Sequence, residues 1–137
     1  VVKFTGLADL ERRPGHIDFD LDDAGNLDLR NQAHVVAVRF VSNKSSMSVF
    51  IDFRMDEDPD RGVSFEFVDA EVLKVEPYLP RGIDPIYAFG LLMNIDHWRN
   101  VENGREGFSF ETTALSVELY SSELRAHLLP ASGFSLK

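Results

Sequence analysis

A mainly β fold, an antiparallel two-layer β-sandwich or a strongly bent sheet with one short helix, follows from three features of this sequence. Apolar and polar residues alternate in segment after segment, most cleanly in His16-Ile17-Asp18-Phe19-Asp20-Leu21-Asp22. A strand sends successive side chains to opposite faces, so a period of two marks a sheet with one wet and one dry face. The run Val35-Val36-Ala37-Val38-Arg39-Phe40-Val41 is apolar on both faces except at Arg39, the pattern of a central strand under a second layer. Turn residues punctuate these runs at Pro14-Gly15, at Asp23-Ala24-Gly25-Asn26 and at Asn103-Gly104.

Taken in order, residues 1–5 read as a short strand and 7–13 as one or two helical turns ended by Pro14-Gly15. Ile17, Phe19 and Leu21 face inward on the next strand, and residues 27–30 return as the second arm of a hairpin. The central run 35–41 turns through 42–46 into a strand that buries Met47, Val49, Ile51 and Phe53 and shows Ser48, Asp52 and Arg54. Phe50 breaks that alternation on the outer face. An acidic loop over 56–62 precedes Val63, Phe65 and Phe67, whose parity conflicts with Val68, Ala70 and Val72. A long bent strand or a bulge near Asp69-Ala70 reconciles the two runs.

Asp84-Pro85 is the best helix start in the chain, since Asp caps free amides and Pro is tolerated at the first helical position. Ile86, Phe89 and Met93 follow at helical spacing, which predicts a short helix to Met93 and then a strand over 94–101. The rival is a helix running on to Arg99. Residues 108–112, 115–119 and 124–128 complete the strands. Thr112-Thr113 offers so little loop that a kink is expected there rather than a return, and the tail from Pro130 is expected to fray. Phe40, Ile51, Phe53, Phe65 and Phe67 are the expected centre of the core. No repeat or linker interrupts the chain, so residues 1–137 are read as one β domain.

Composition narrows the function classes. At 137 residues with 44% apolar content, the chain can bury roughly two thirds of its unfolded surface. Eleven Phe against one Trp and three Tyr suit a dry sheet face better than a platform for sugars or bases. The absence of Cys removes disulfides, zinc thiolates, iron–sulfur clusters and thiol nucleophiles together, and is compatible with a cytoplasmic location. No apolar run approaches the ~20 residues that span a bilayer, and the chain opens on Val, which leaves an upstream leader open. Twenty-three carboxylates against 14 Lys and Arg give a net charge of −9, which repels nucleic acid and anionic membranes. A basic partner protein is the natural complement.

Two acidic clusters stand out. Asp18, Asp20 and Asp22 line one strand face ~7 Å apart, with Asp28 across the turn. Asp56, Asp58 and Asp60, with Glu57, lie on a loop. Each cluster resembles a calcium loop in part, but Ala24 and Asn31 fall where the first needs oxygen ligands and Arg61 where the second needs Gly. Neither is therefore read as a metal site, and no cofactor is expected. Both are read as exposed docking surfaces for a basic partner, with outward Phe50 as the anchor; the bland readings are a solvated strand face and a charged loop that protects neighbouring edges. His16, His34, His97 and His127 show no metal-ligand spacing, and no Gly-x-Ser-x-Gly elbow or phosphate-cradling Gly loop is present. No catalytic residue is assigned.

The order of a hairpin opening on a His-led acidic strand, then HVVAVRFVSNKSSMSVFIDFRM, then GVSFEFVDAEVLKVEP after an acidic loop, and LSVELYSSELRAHLLP at the close, carries a resemblance. It resembles the small acidic all-β proteins that bacteria encode as immunity partners of polymorphic toxins, and related uncharacterised bacterial β-domains. The likeness implies stoichiometric inhibition of a toxin by binding, without catalysis, and passes no named residue to this chain. Two other classes stay open: a small-molecule-binding or accessory module with a Phe-lined pocket between sheets, and an enzyme whose acid and His residues are assembled in space.

Overall fold

The computed structural model describes residues 1–77 and 90–131, which form eleven strands and no helix. In chain order these are β1 (Lys3–Thr5), β2 (Asp18–Leu21), β3 (Gly25–Asp28) and β4 (Ala33–Asn43). β5 (Ser46–Met55), β6 (Gly62–Val68) and β7 (Glu71–Pro77) follow. The last four are β8 (Leu92–Arg99), β9 (Glu106–Thr112), β10 (Leu115–Tyr120) and β11 (Glu123–Leu129). The expected helix after Asp84 lies outside the described residues up to 89, but it does not reach Met93 as expected, because Leu92 and Met93 already belong to β8; the tail beyond 131 also lies outside the described residues. Leu92 to Arg99 is strand, so the rival helix does not extend through it.

Two sheets share one bent ribbon. The five-stranded sheet runs β1-β11-β6-β5-β4 and the four-stranded sheet β7-β10-β9-β8, while β2 and β3 form a separate hairpin. β6 passes into β7 and β10 into β11, and these two long strands stay antiparallel partners in both sheets. The bend falls at Asp69, which takes a left-handed backbone with φ 50°, a region Asp tolerates better than most residues. Across from it the Ser121 hydroxyl and the Ser122 amide both bond the Val68 carbonyl, at 2.8 and 3.3 Å, so the corner leaves that acceptor satisfied. Strands that change sheets at such bends make the corners of packed β layers. The conflict of parity near Asp69-Ala70 is this corner.

The core fills the space between the sheets. Val49, Ile51, Phe53, Phe65, Phe67 and Leu124 of one sheet are buried against Ile95, Phe108, Phe110, Val117 and Leu119 of the other. Phe67 spans the layers, 5.2 Å from the Phe108 ring and stacked at 5.6 Å on Phe110. Phe19 of the β2–β3 hairpin meets Phe65 edge-on at 4.9 Å, which ties the hairpin to the same core.

Four further expectations are corrected. Among the described residues β4 pairs with β5 alone and is the outermost strand of its sheet, not the central one expected. Phe40 shares the inner face with Val49 but is 45% exposed, because no further strand flanks it among the described residues. Residues 7–13 form no helix: Leu7 bridges Leu21, and the Arg13 carbonyl accepts from the His97 amide. The chain also folds fully back at Thr112. There the threonine Oγ accepts the Ala114 and Leu115 amides at 3.1 and 3.0 Å, a side-chain turn that needs neither Gly nor Asn.

Candidate functional site

The acidic residues are held by the ladders that flank them. On the hairpin, Asp18 pairs with Asp28 and Asp20 with Asn26, so like charges face each other across the strands. Amide donors relieve that repulsion. Asn26 Nδ2 bonds Asp18 at 3.1 Å and Asp20 at 2.7 Å. Asp28 receives the Asn31 side chain at 2.8 Å and the Arg30 and Asn31 amides, and the Asn31 bond above all holds its carboxyl below the usual carboxylate range. Asp18, Asp20 and Asp22 are all exposed.

The second cluster lies on the loop from β5 to β6. Asp56 bonds His34 Nδ1 at 2.8 Å, and its amide bonds the Gln32 carbonyl at 2.9 Å. The Asp58 carbonyl accepts the Arg61 amide, and Arg54 bonds the Asp60 carbonyl at 3.3 Å, so the loop's shape is fixed by its own backbone. Far apart in the chain, the loop and the hairpin meet in space. A groove of about 560 Å³ runs between Asn26 and Asn31 on one wall and Asp56, Glu57 and Asp58 on the other, with Leu27 and Met55 in its lining. A smaller cleft of about 170 Å³ continues it between Asp23 and Asp60 over Val63 and Leu128. The structure therefore brings Asp56, Asp58 and Asp60 against the hairpin turn, while Asp18, Asp20 and Asp22 lie along the hairpin's open face and line neither space. The small cleft is well below the ~300–1,000 Å³ of a typical ligand pocket. Among the described residues no group of three or more His, Asp or Glu is placed to hold a metal ion.

Phe50 faces outward from the five-stranded sheet, but it is not bare. The Arg39 guanidinium lies 4.2 Å above its ring and makes a two-pronged pair with Asp52 at 2.8 and 3.1 Å. Ser64 donates to the same Asp52 at 2.5 Å. Next to it, Glu66 accepts Ser48 at 2.8 Å and pairs with His127 at 2.9 Å. Sequence reading missed this lattice, because only the register places Asp52 beside Ser64 and Ser64 beside His127. It contains Ser, His and Asp, but His127 is bonded to Glu66 and Ser64 to Asp52. The Ser–His contact of a serine–histidine pair is therefore not formed in this lattice, where the Ser64 hydroxyl is directed at the Asp52 carboxylate instead.

His97 is the other group the sequence did not place. It faces inward from β8, stacked on Phe108 at 4.7 Å, and is 5% exposed. Its Nδ1 bonds the Leu10 carbonyl at 3.2 Å, while Nε2 is buried without a hydrogen-bond partner among the described residues, 3.8 Å from Glu106. Burial pushes the imidazole below its usual pKa of 6.5, with the Leu10 bond and Glu106 opposing the shift. As pH falls through 6.5 the unfolded chain takes the proton first, so stability declines from there down to the folded value and levels off below it. Glu106 is depressed as a carboxylate and acts only below 4.5. His97→Phe keeps the ring packing and loses the Leu10 bond, at about 1 kcal/mol at pH 7. It is expected to lose most of the parent's fall in denaturant midpoint between pH 7 and pH 5; an equal fall in both proteins would assign that decline to other groups.

No helix among the described residues is long and apolar enough to cross a membrane. Comparison of the chain with family models, curated proteins and solved structures yields no match.

Proposed function

We propose that this chain is a non-catalytic protein-binding domain whose acidic groove receives a basic partner, in the manner of an immunity-type inhibitor. The observation that carries this reading is the meeting of the hairpin turn and the 56–61 loop across one groove, lined by Asp56, Glu57 and Asp58 against the single cation Arg61 and apolar at Leu27 and Met55. Complementary charge steers a cationic partner into such a groove and speeds its association, while apolar contact sets the lifetime of the complex. A net charge of −9 extends the attraction beyond the groove itself.

The test is charge reversal of Asp56, Asp58 and Asp60 to Lys in the full chain. The partner is supplied by a pull-down with the products of adjacent genes. The association rate at low salt is expected to drop about tenfold or more and to lose most of its salt dependence. Folding stability should move by less than about 1 kcal/mol, since the one ion pair removed, His34–Asp56, is exposed on both sides. Capture of no protein, together with a small molecule that raises the melting temperature, would replace this reading with the pocket-bearing module.

A further inference from the structure

We propose that residues 8–16 form an acid-operated latch over β8, held shut by the neutral His97 side chain and lifted when that imidazole takes up a proton, while both sheets stay folded. The segment is tied at its two ends, where Leu7 bridges Leu21 and where β2 begins at Asp18. Between those ties it lies along β8. His16 and Ile95 exchange amide bonds at 2.9 Å, the His97 amide donates to the Arg13 carbonyl at 3.1 Å, and the Gly15 amide donates to Asp96 at 2.8 Å. Residues 8, 9 and 11–15 are exposed, so half-buried Leu10 and buried His16 supply the burial of the segment. With so few apolar contacts and so short a set of backbone bonds, it opens at a lower free energy than the sheets it crosses.

His97 is the fastening. Its Nδ1 donates to the Leu10 carbonyl at 3.2 Å, and its ring is enclosed by Phe108, stacked at 4.7 Å, and by Phe4, edge-on at 5.6 Å. With the one proton of a neutral imidazole on Nδ1, Nε2 is bare, which suits a buried nitrogen that has no partner among the described residues. A proton on Nε2 needs an acceptor. From β9 Glu106 faces it at 3.8 Å, but that carboxylate already receives the Val2 amide at 2.7 Å, the Val1 amino group at 3.4 Å and Arg12 at 3.6 Å. On the latch itself, Arg12 and His16 oppose a further positive charge, and β1 presents only the Phe4 ring. The closed latch disfavours the proton that the open one accepts.

The direction follows from linkage. Burial holds His97 below its usual value of 6.5; lifting the segment removes the Leu10 carbonyl, admits water to the ring and returns it toward that value. The latch therefore stays shut above pH 6.5 and opens more readily as pH falls through 6.5 toward the closed-state value, below which the gain levels off. A single proton raises the opening constant by up to about eightfold between pH 7 and pH 5.5. Opening frees the Ile95 and His97 amides of β8 and uncovers His16.

The test is hydrogen exchange of the full chain, followed amide by amide and corrected for the intrinsic pH dependence of exchange. At pH 7 the amides of His16, Ile95 and His97 are expected to exchange at least about tenfold faster than those of Ile51 and Phe65 in the core ladders. Their opening constant should rise several-fold, to at most about eightfold, by pH 5.5. His97→Phe keeps the ring contacts and cannot titrate, so the rise should flatten; His97→Gln is a second non-titrating variant that can still donate to the Leu10 carbonyl. Protection of the latch amides equal to that of the core makes global unfolding their only opening and overturns the proposal. An opening constant that does not rise by pH 5.5 overturns it too, as does a rise that persists undiminished in the non-titrating variants, which assigns the pH dependence to other groups.

Discussion

Replacing Phe65 with Ala is expected to cost about 3–5 kcal/mol, most of the net stability of a domain this size. Phe65 is fully buried in β6, between Ile51 and Ala126 on its two neighbouring strands. Its ring is touched by Phe53 at 5.8 Å and by Phe19 at 4.9 Å. Removing it opens a cavity where the β2–β3 hairpin joins the sheet, so the groove wall formed by that hairpin loosens too. Phe40→Ala is the informative control. The same atoms are deleted from a residue of the same strand parity, but one 45% exposed on an edge, and the expected cost is about 1 kcal/mol. Equilibrium denaturation with a common m-value separates the two. Equal midpoints for both variants would return Phe40 to the core and make β4 a covered strand.

Gly107→Ala is expected to destabilise by about 3 kcal/mol, through overpacking rather than loss of contact. Gly107 lies between Trp98 on β8 and Tyr120 on β10. A Cβ there would strike the Leu119 carbonyl oxygen and approach the Trp98 ring carbons to 2.6–2.7 Å. The Trp98 indole is itself fixed, with Nε1 donating to Ser109 at 2.8 Å and the Tyr120 ring edge-on at 5.4 Å. Neither the carbonyl nor the held ring can give way cheaply. An indole covering a strand glycine fills the gap its missing side chain leaves, so Trp98→Ala in the Gly107→Ala background should recover part of the loss. Thermal melts of the single and double variants measure that coupling, and strict additivity would remove the contact from the account.

Much of the fold was legible because strand parity is local. Period-two alternation placed Ile51, Phe53, Phe65 and Phe67 inside and Asp18, Asp20 and Asp22 outside, and each of those residues lies there. The acidic loop and the outward Phe50 were legible for the same reason. Side-chain parity cannot report how many strands lie beyond a given one. Val35 to Val41 reads as a central strand, yet among the described residues it pairs on one side only, and Phe40 is exposed despite its inward parity. Nor does composition reveal a turn closed by a threonine side chain, as at Thr112.

The candidate site divides along the same line. By itself the sequence determined which residues are acidic, which of them point outward and that the chain carries a large negative charge, all properties of single residues and short segments. Only the tertiary structure decided that the 56–61 loop faces the β2–β3 hairpin, that Arg39 pairs with Asp52, and that His97 is buried with Nε2 unpartnered among the described residues. Those are facts of register and sheet order, set by which distant strands pair when the Phe-rich faces of two sheets are buried together, and a one-residue shift in the ladder that carries a residue would have turned it to the other face.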